Sequence, residues 1–145
     1  MALFADDTQL FYPVYSAFRN STQSQASGWV TTDWNNVEIN TTEVSESNGI
    51  ITVQEAGYYF AHYNYFHQNG DHGEFRLRIH SNGIGDFAYL RNYKGDGGSI
   101  SGIVYMAAGW YIYCQAYHDN TAHPIGATNR RNKVGLWRFN GGSDF

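Results

Sequence analysis

Large apolar and polar side chains exchange places at every second position through most of this chain. The clearest case is "EFRLRIH" (74–80). There Phe75, Leu77 and Ile79 fall on one side, and Glu74, Arg76, Arg78 and His80 on the other. A strand with one wet face has this period. Similar runs stand at 13–19, 50–54, 86–93, 99–106 and 133–139, and 29–40 holds a short strand or two anchored by Trp29 and Trp34. Polar turns rich in Gly, Asn and Ser separate them, with an Asn-Gly hairpin signal in "QNGDHG" (68–73). No segment has a helical period. Many short strands with close turn signals predict an all-β sandwich, barrel or jelly roll.

Two strands carry large groups on both faces. In 58–67, Tyr59, Ala61, Tyr63 and Tyr65 share one side and Tyr58, Phe60, His62 and Asn64 the other. In 110–118, Tyr111, Tyr113 and Gln115 oppose Trp110, Ile112, Cys114 and Ala116. An antiparallel sheet with one face in water alternates cleanly, so both faces of these strands are expected to be covered.

The chain has 145 residues, enough for one domain with a real core. Its net charge of −4 argues against a general binder of nucleic acid or anionic membrane. Cys114 is the only cysteine, so no internal disulfide forms and stability must come from packing or assembly. "MALFADD" lacks the basic start and apolar run of a leader, and no stretch is long enough to span a membrane. Synthesis and assembly in a cytoplasm are therefore expected, unless a leader was removed before Met1. The sequons at Asn20 and Asn40 read as chance in a chain this rich in Asn, Ser and Thr. Leu3, Phe4, Leu10 and Phe11 make residues 1–12 too apolar for a solvated tail. This arm either lies on its own domain or docks on another protein.

The order of motifs resembles the C1q-like branch of the C1q/tumour-necrosis-factor (TNF) jelly-roll superfamily. "VYSAFR" (14–19) is similar to the family's opening strand, "NGIITVQEAGYYFAHYNY" (48–65) to its Gly-x-Tyr-x-Phe signature, "FRLRIHSNG" (75–83) to the next hairpin arm, "SISGIVYMAAGWYIYCQAYH" (99–118) to its paired strands and "VGLWRF" (134–139) to the closing strand. The departures are Ala61 at the usual Phe, Trp110 at the aspartate of a Gly-Asp turn, and Lys133 two residues before the last glycine. The resemblance implies an N-terminal arm (1–12), a jelly-roll domain (13–140) and a short tail (141–145). It implies three copies around a threefold axis, with 58–66 beside 110–117 in the inner sheet. It places Tyr59, Tyr63, Tyr111 and Tyr113 in the core, and Tyr58, Phe60, His62, Trp110, Ile112 and Cys114 at the trimer interface. Four apolar groups of this kind amount to roughly 600 Å² of surface, the top of what a soluble monomer tolerates.

Candidate chemistry is thin. His62 and Cys114, if both face the axis, could hold a metal, since thiolate and imidazole suit zinc; the competing reading is that both simply pack. Loop carboxylates in 67–74 and 86–98 lack the density of a calcium loop. "KGDGGSISG" (94–102) lacks the Gly-Lys-Ser/Thr ending of a phosphate loop, and Ser99 and Ser101 stand in no nucleophile elbow. "NRRNK" (129–133) reads as a solvated basic loop. The expectation is a non-enzymatic homotrimer without cofactor or metal. It binds neither nucleic acid nor membrane. The favoured role is virion decoration: a cement protein on a phage head, assembled in the host cytoplasm and docked on a capsid or other shell protein through the arm, with 140–145 as a second element. The alternative is a receptor- or carbohydrate-binding head, at a fibre tip or as a soluble extracellular lectin-like domain.

Overall fold

A computed structural model of the chain describes residues 10–23, 28–67, 74–92, 97–118 and 132–139. These form eleven strands and no helix: β1 (Phe11–Phe18), β2 (Gly28–Thr31), β3 (Asn36–Asn40), β4 (Val44–Ser47), β5 (Ile50–Val53), β6 (Gly57–Phe66), β7 (Phe75–Ser81), β8 (Gly85–Asn92), β9 (Gly97–Met106), β10 (Tyr111–His118) and β11 (Lys133–Phe139). Five of them form a first sheet in the order β3-β1-β11-β6-β9. A second sheet runs β4-β5-β10-β7-β8, with β2 also pairing β10. Every pairing is antiparallel. The architecture is the two-sheet jelly-roll sandwich that the alternation and the resemblance called for.

The core lies between the sheets. From the first sheet come Tyr15, Ala17, Tyr59, Ala61, Tyr63, Tyr65, Val104, Val134 and Leu136, all buried. Ile51, Val53, Phe75, Leu77, Ile79, Ile112, Cys114 and Ala116 meet them from the second. A tyrosine in such a place needs a partner for its hydroxyl. Three have one: Tyr59 donates to the Glu55 carbonyl (2.6 Å), Tyr63 pairs with Thr32 Oγ1 (2.7 Å), and Tyr65 meets His118 Nε2 (2.7 Å). Burial pushes the Tyr59 phenol up to about 12 and raises the Tyr15, Tyr63 and Tyr65 phenols as well.

Two expectations are corrected here. β6 and β10 are not neighbours: β6 pairs β11 and β9 in the first sheet, β10 pairs β7, β5 and β2 in the second. The faces of β10 are also the reverse of those implied. Ile112 and Cys114 are buried in the chain's own core, and Tyr111 and Tyr113 lie half-buried on the outside. The physical reason is chemical matching. Ile112, Cys114 and Ala116 present no polar atom that burial would strand. Tyr111 and Tyr113 stay on the half-buried outer face, where they stack on one another and Tyr113 stacks on His80.

Candidate functional site

The outer face of the first sheet is built by register. Phe11 stands opposite Phe139, and Tyr58 opposite Tyr105. One row further in, Pro13, Trp137, Phe60 and Ile103 line up across β1, β11, β6 and β9. The rings touch: Phe11–Phe139 at 5.4 Å, Phe60–Trp137 at 5.5 Å, Tyr58–Tyr105 at 5.4 Å and Phe11–Phe60 at 6.2 Å between centroids. Yet this cluster is far from covered, since Tyr58, Ile103 and Tyr105 are 54%, 60% and 42% exposed. Phe11, Phe60, Trp137 and Phe139 are only partly wet, so with about 150 Å² or more per aromatic side chain, on the order of 300–400 Å² of apolar surface remains open. That is the size of the largest patch on a typical soluble monomer, and such a patch is often an interface.

Toward the other end the face turns polar. His62, Gly135 and Ser101 share a row, then Asn64, Lys133 and Ser99. His62 Nε2 is 2.8 Å from Asn64 Oδ1, and Lys133 pairs with Glu38 at 3.2 Å. Ser101 lies opposite His62, but no hydrogen bond joins them, so no nucleophile and base are assembled here.

Of the six residues the resemblance placed at an interface, Tyr58, Phe60 and His62 do share this open face. Trp110 precedes β10, caps Gly83 and meets Tyr105 edge-on at 6.4 Å. Ile112 and Cys114 are in the core and cannot take part. The same placement removes the His62–Cys114 metal reading, because the two belong to opposite sheets and the thiol is buried. Burial also pushes the Cys114 thiol far above its ordinary range, which disfavours a thiolate ligand. Among the described residues no three metal-ligating side chains gather, and no helix is long and apolar enough to cross a membrane. Of the arm residues, Leu10 is 51% exposed and Phe11 opens β1, while Leu3 and Phe4 lie outside the described residues. So do the tail and the loops at 68–73, 93–96 and 119–131.

Ile103, Tyr105, Trp137 and Phe139 were missed as members of this face. Their signal was present, a large group at every second position of 103–105 and 137–139, but only the pairing of β9 and β11 with β6 brings them beside Phe60. The outer face of the second sheet is different in kind. It carries Trp29, Tyr89, Tyr111, Tyr113 and Tyr117 among Arg76, Arg78 and Arg91, with Arg78 lying 4.2 Å over the Trp29 ring and Arg76 4.9 Å over Tyr117.

No protein-family model matches the chain, and no curated protein matches it in sequence. Solved structures do match it. Crystal structures of murine APRIL, a TNF-family jelly-roll protein, superpose at pH 8.0 (TM-score 0.70, 11% identity), pH 8.5 (0.70, 13%) and pH 5.0 (0.69, 10%). Each comparison covers 88% of this chain and 98% of the other. Identities this low speak for architecture alone, and in architecture this chain is a C1q/TNF-like jelly-roll domain.

Proposed function

We propose that this domain is a non-enzymatic module that works as a homotrimer, closing the aromatic face of its first sheet against sister copies. The observation that carries the reading is the open cluster of Phe11, Tyr58, Phe60, Ile103, Tyr105, Trp137 and Phe139. Closing it against identical copies removes that surface from water at about 25 cal/mol per Å² before ordering costs, enough to favour assembly. Tyr58 and Tyr105 suit such a place because their hydroxyls tolerate a partly polar interface. Sedimentation should give a particle of about three times the 16.4 kDa chain mass. Phe60→Asp, on the open face, should give a folded single chain. A parent protein that sediments as a 16.4 kDa monomer overturns the reading.

The finer role we assign is virion decoration, the trimer bridging shell proteins so that three weak contacts act together. The support is the apolar arm, whose first described member, Leu10, is half-exposed just before β1. Removing residues 2–9 should leave a trimer that no longer rebinds particles stripped of it; unchanged rebinding refutes the arm as the docking element. One observation favours the second reading, a receptor- or carbohydrate-binding head: the tyrosine- and arginine-rich outer face of the second sheet, which the proposed assembly leaves open.

A further inference from the structure

On that second-sheet face, Arg76 of β7 lies directly opposite Arg91 of β8 and Tyr117 of β10. Arg76 and Arg91 would repel across the strands. Glu74 bridges them: its Oε1 accepts from Arg76 Nε at 2.7 Å and from Arg91 Nε at 2.8 Å, and Oε2 accepts from Arg91 at 3.2 Å. Beneath the Arg76 guanidinium lies the Tyr117 ring. Arg76 is thus held from two sides, while among the described residues its terminal nitrogens meet no acceptor. A guanidinium fixed in this way, with its outer fork open, matches a carboxylate in bidentate geometry.

Charge agrees with an acidic ligand. This face sets Arg76, Arg78 and Arg91 against Glu74 and Asp86, one cation in excess. Elsewhere among the described residues Asp33, Glu38, Glu43, Glu46 and Glu55 outnumber Arg19, Lys133 and Arg138. Two residues before Arg91 on the same side stands Tyr89, 52% exposed, with no other ring or cation stacked on it among the described residues. It lies diagonal to Arg76, about 7 Å away along the strand spacing, the reach of a single sugar ring that bears a carboxylate. Across Arg78 from Tyr89 the same face carries Gln115, which accepts from Arg78 Nε at 2.7 Å and donates to Thr31 Oγ1 at 2.9 Å. Such groups suit a polyol. Arg76 and Tyr117 are already stacked and Arg76 is paired with Glu74, so these two lose little freedom when a ligand arrives.

We infer that Arg76, Tyr89 and Tyr117 form a binding site for an acidic glycan, with a sugar carboxylate on the open fork of Arg76 and the sugar ring against Tyr89. A puckered saturated ring that packs its C–H face on Tyr89 is what distinguishes this occupant from an acidic peptide, whose carboxylates hang on flexible stems and make no use of Tyr89. The site rests on the binding-head reading and not on the trimer, because the two faces belong to different sheets. Sizing and ligand titration therefore fail separately.

The test is calorimetric titration of the full chain with oligogalacturonate and with sialyllactose, against neutral galacto-oligosaccharide and polyglutamate. Saturable binding of either acidic sugar is expected, with affinity falling about tenfold or more in Arg76→Gln and in Tyr89→Ala, the scale of one charge-assisted or stacking contact. Both side chains are on the surface, and circular dichroism checks that the variants stay folded. Neutral sugar should bind at least about tenfold more weakly. Absence of binding to both acidic sugars, affinities untouched by both substitutions, or polyglutamate binding as tightly as the sugars would each overturn the assignment.

Discussion

Ile112 shows how much hangs on the direction of one side chain. On a subunit interface, a charge there would only separate the copies. In its actual place, fully buried among Ile51, Ile79 and Cys114, a carboxylate has neither water nor partner. An isolated buried charge costs several kcal/mol, a large part of a domain's whole stability. Ile112→Asp should therefore abolish the folded chain itself, seen as loss of the β circular dichroism signal. A variant that stays folded would put Ile112 back on an outer surface. The contrast with Phe60→Asp, expected to stay folded, separates core from face with two substitutions. Tyrosine hydroxyls explain why β10 turned the way it did. The core already satisfies those of Tyr59, Tyr63 and Tyr65, but Tyr15 Oη and Trp34 Nε1 are buried without a partner among the described residues. Further buried hydroxyls from Tyr111 and Tyr113 would have added to that burden.

At the scale of elements, strand existence was legible and strand company was not. The alternation of 74–80 became β7 with Phe75, Leu77 and Ile79 inward and Arg76, Arg78 and His80 outward, as read. β6 likewise keeps Tyr59, Ala61, Tyr63 and Tyr65 in the core. Period alone sorts side chains into two sets, and it leaves open which set faces in when both are aromatic. For β6 the correct set was chosen; for β10 the wrong one. The segment 29–40 was read as a strand or two and is two, β2 and β3, which join different sheets. The turn between β4 and β5 illustrates a local signal that is self-sufficient: Asn48 and Gly49 both adopt positive φ, which Asn-Gly supplies with little strain. Of the candidate site, Tyr58, Phe60 and His62 were legible as one stripe. Their companions on β9 and β11 come from 40 or more residues further along the chain, and local pattern carries no information about that pairing.

At the scale of the whole molecule, the described residues share one core, and four of its large members are tyrosines whose phenols burial pushes upward. An unfolded tyrosine ionises near pH 10. The folded values are raised, so this contribution to stability is fully present below about pH 10 and is lost as pH climbs through the folded values, about 12 for Tyr59. Above pH 10 each such group should remove about 1.4 kcal/mol of stability per pH unit. Cooperative unfolding is therefore expected between about pH 10 and 12, with tyrosinate absorbance rising at the same pH as the circular dichroism change. Gradual ionisation with no change in fold would contradict the buried positions of these rings. From the order of its residues alone, this chain was bound to be all-β, because side-chain period and turn chemistry act within a few residues. Which strands share a sheet, which face of β10 looks inward, and which aromatic residues are left in water were decided only by the closed sandwich. Those outcomes depend on contacts between distant segments and on the few places where a buried hydroxyl finds a partner.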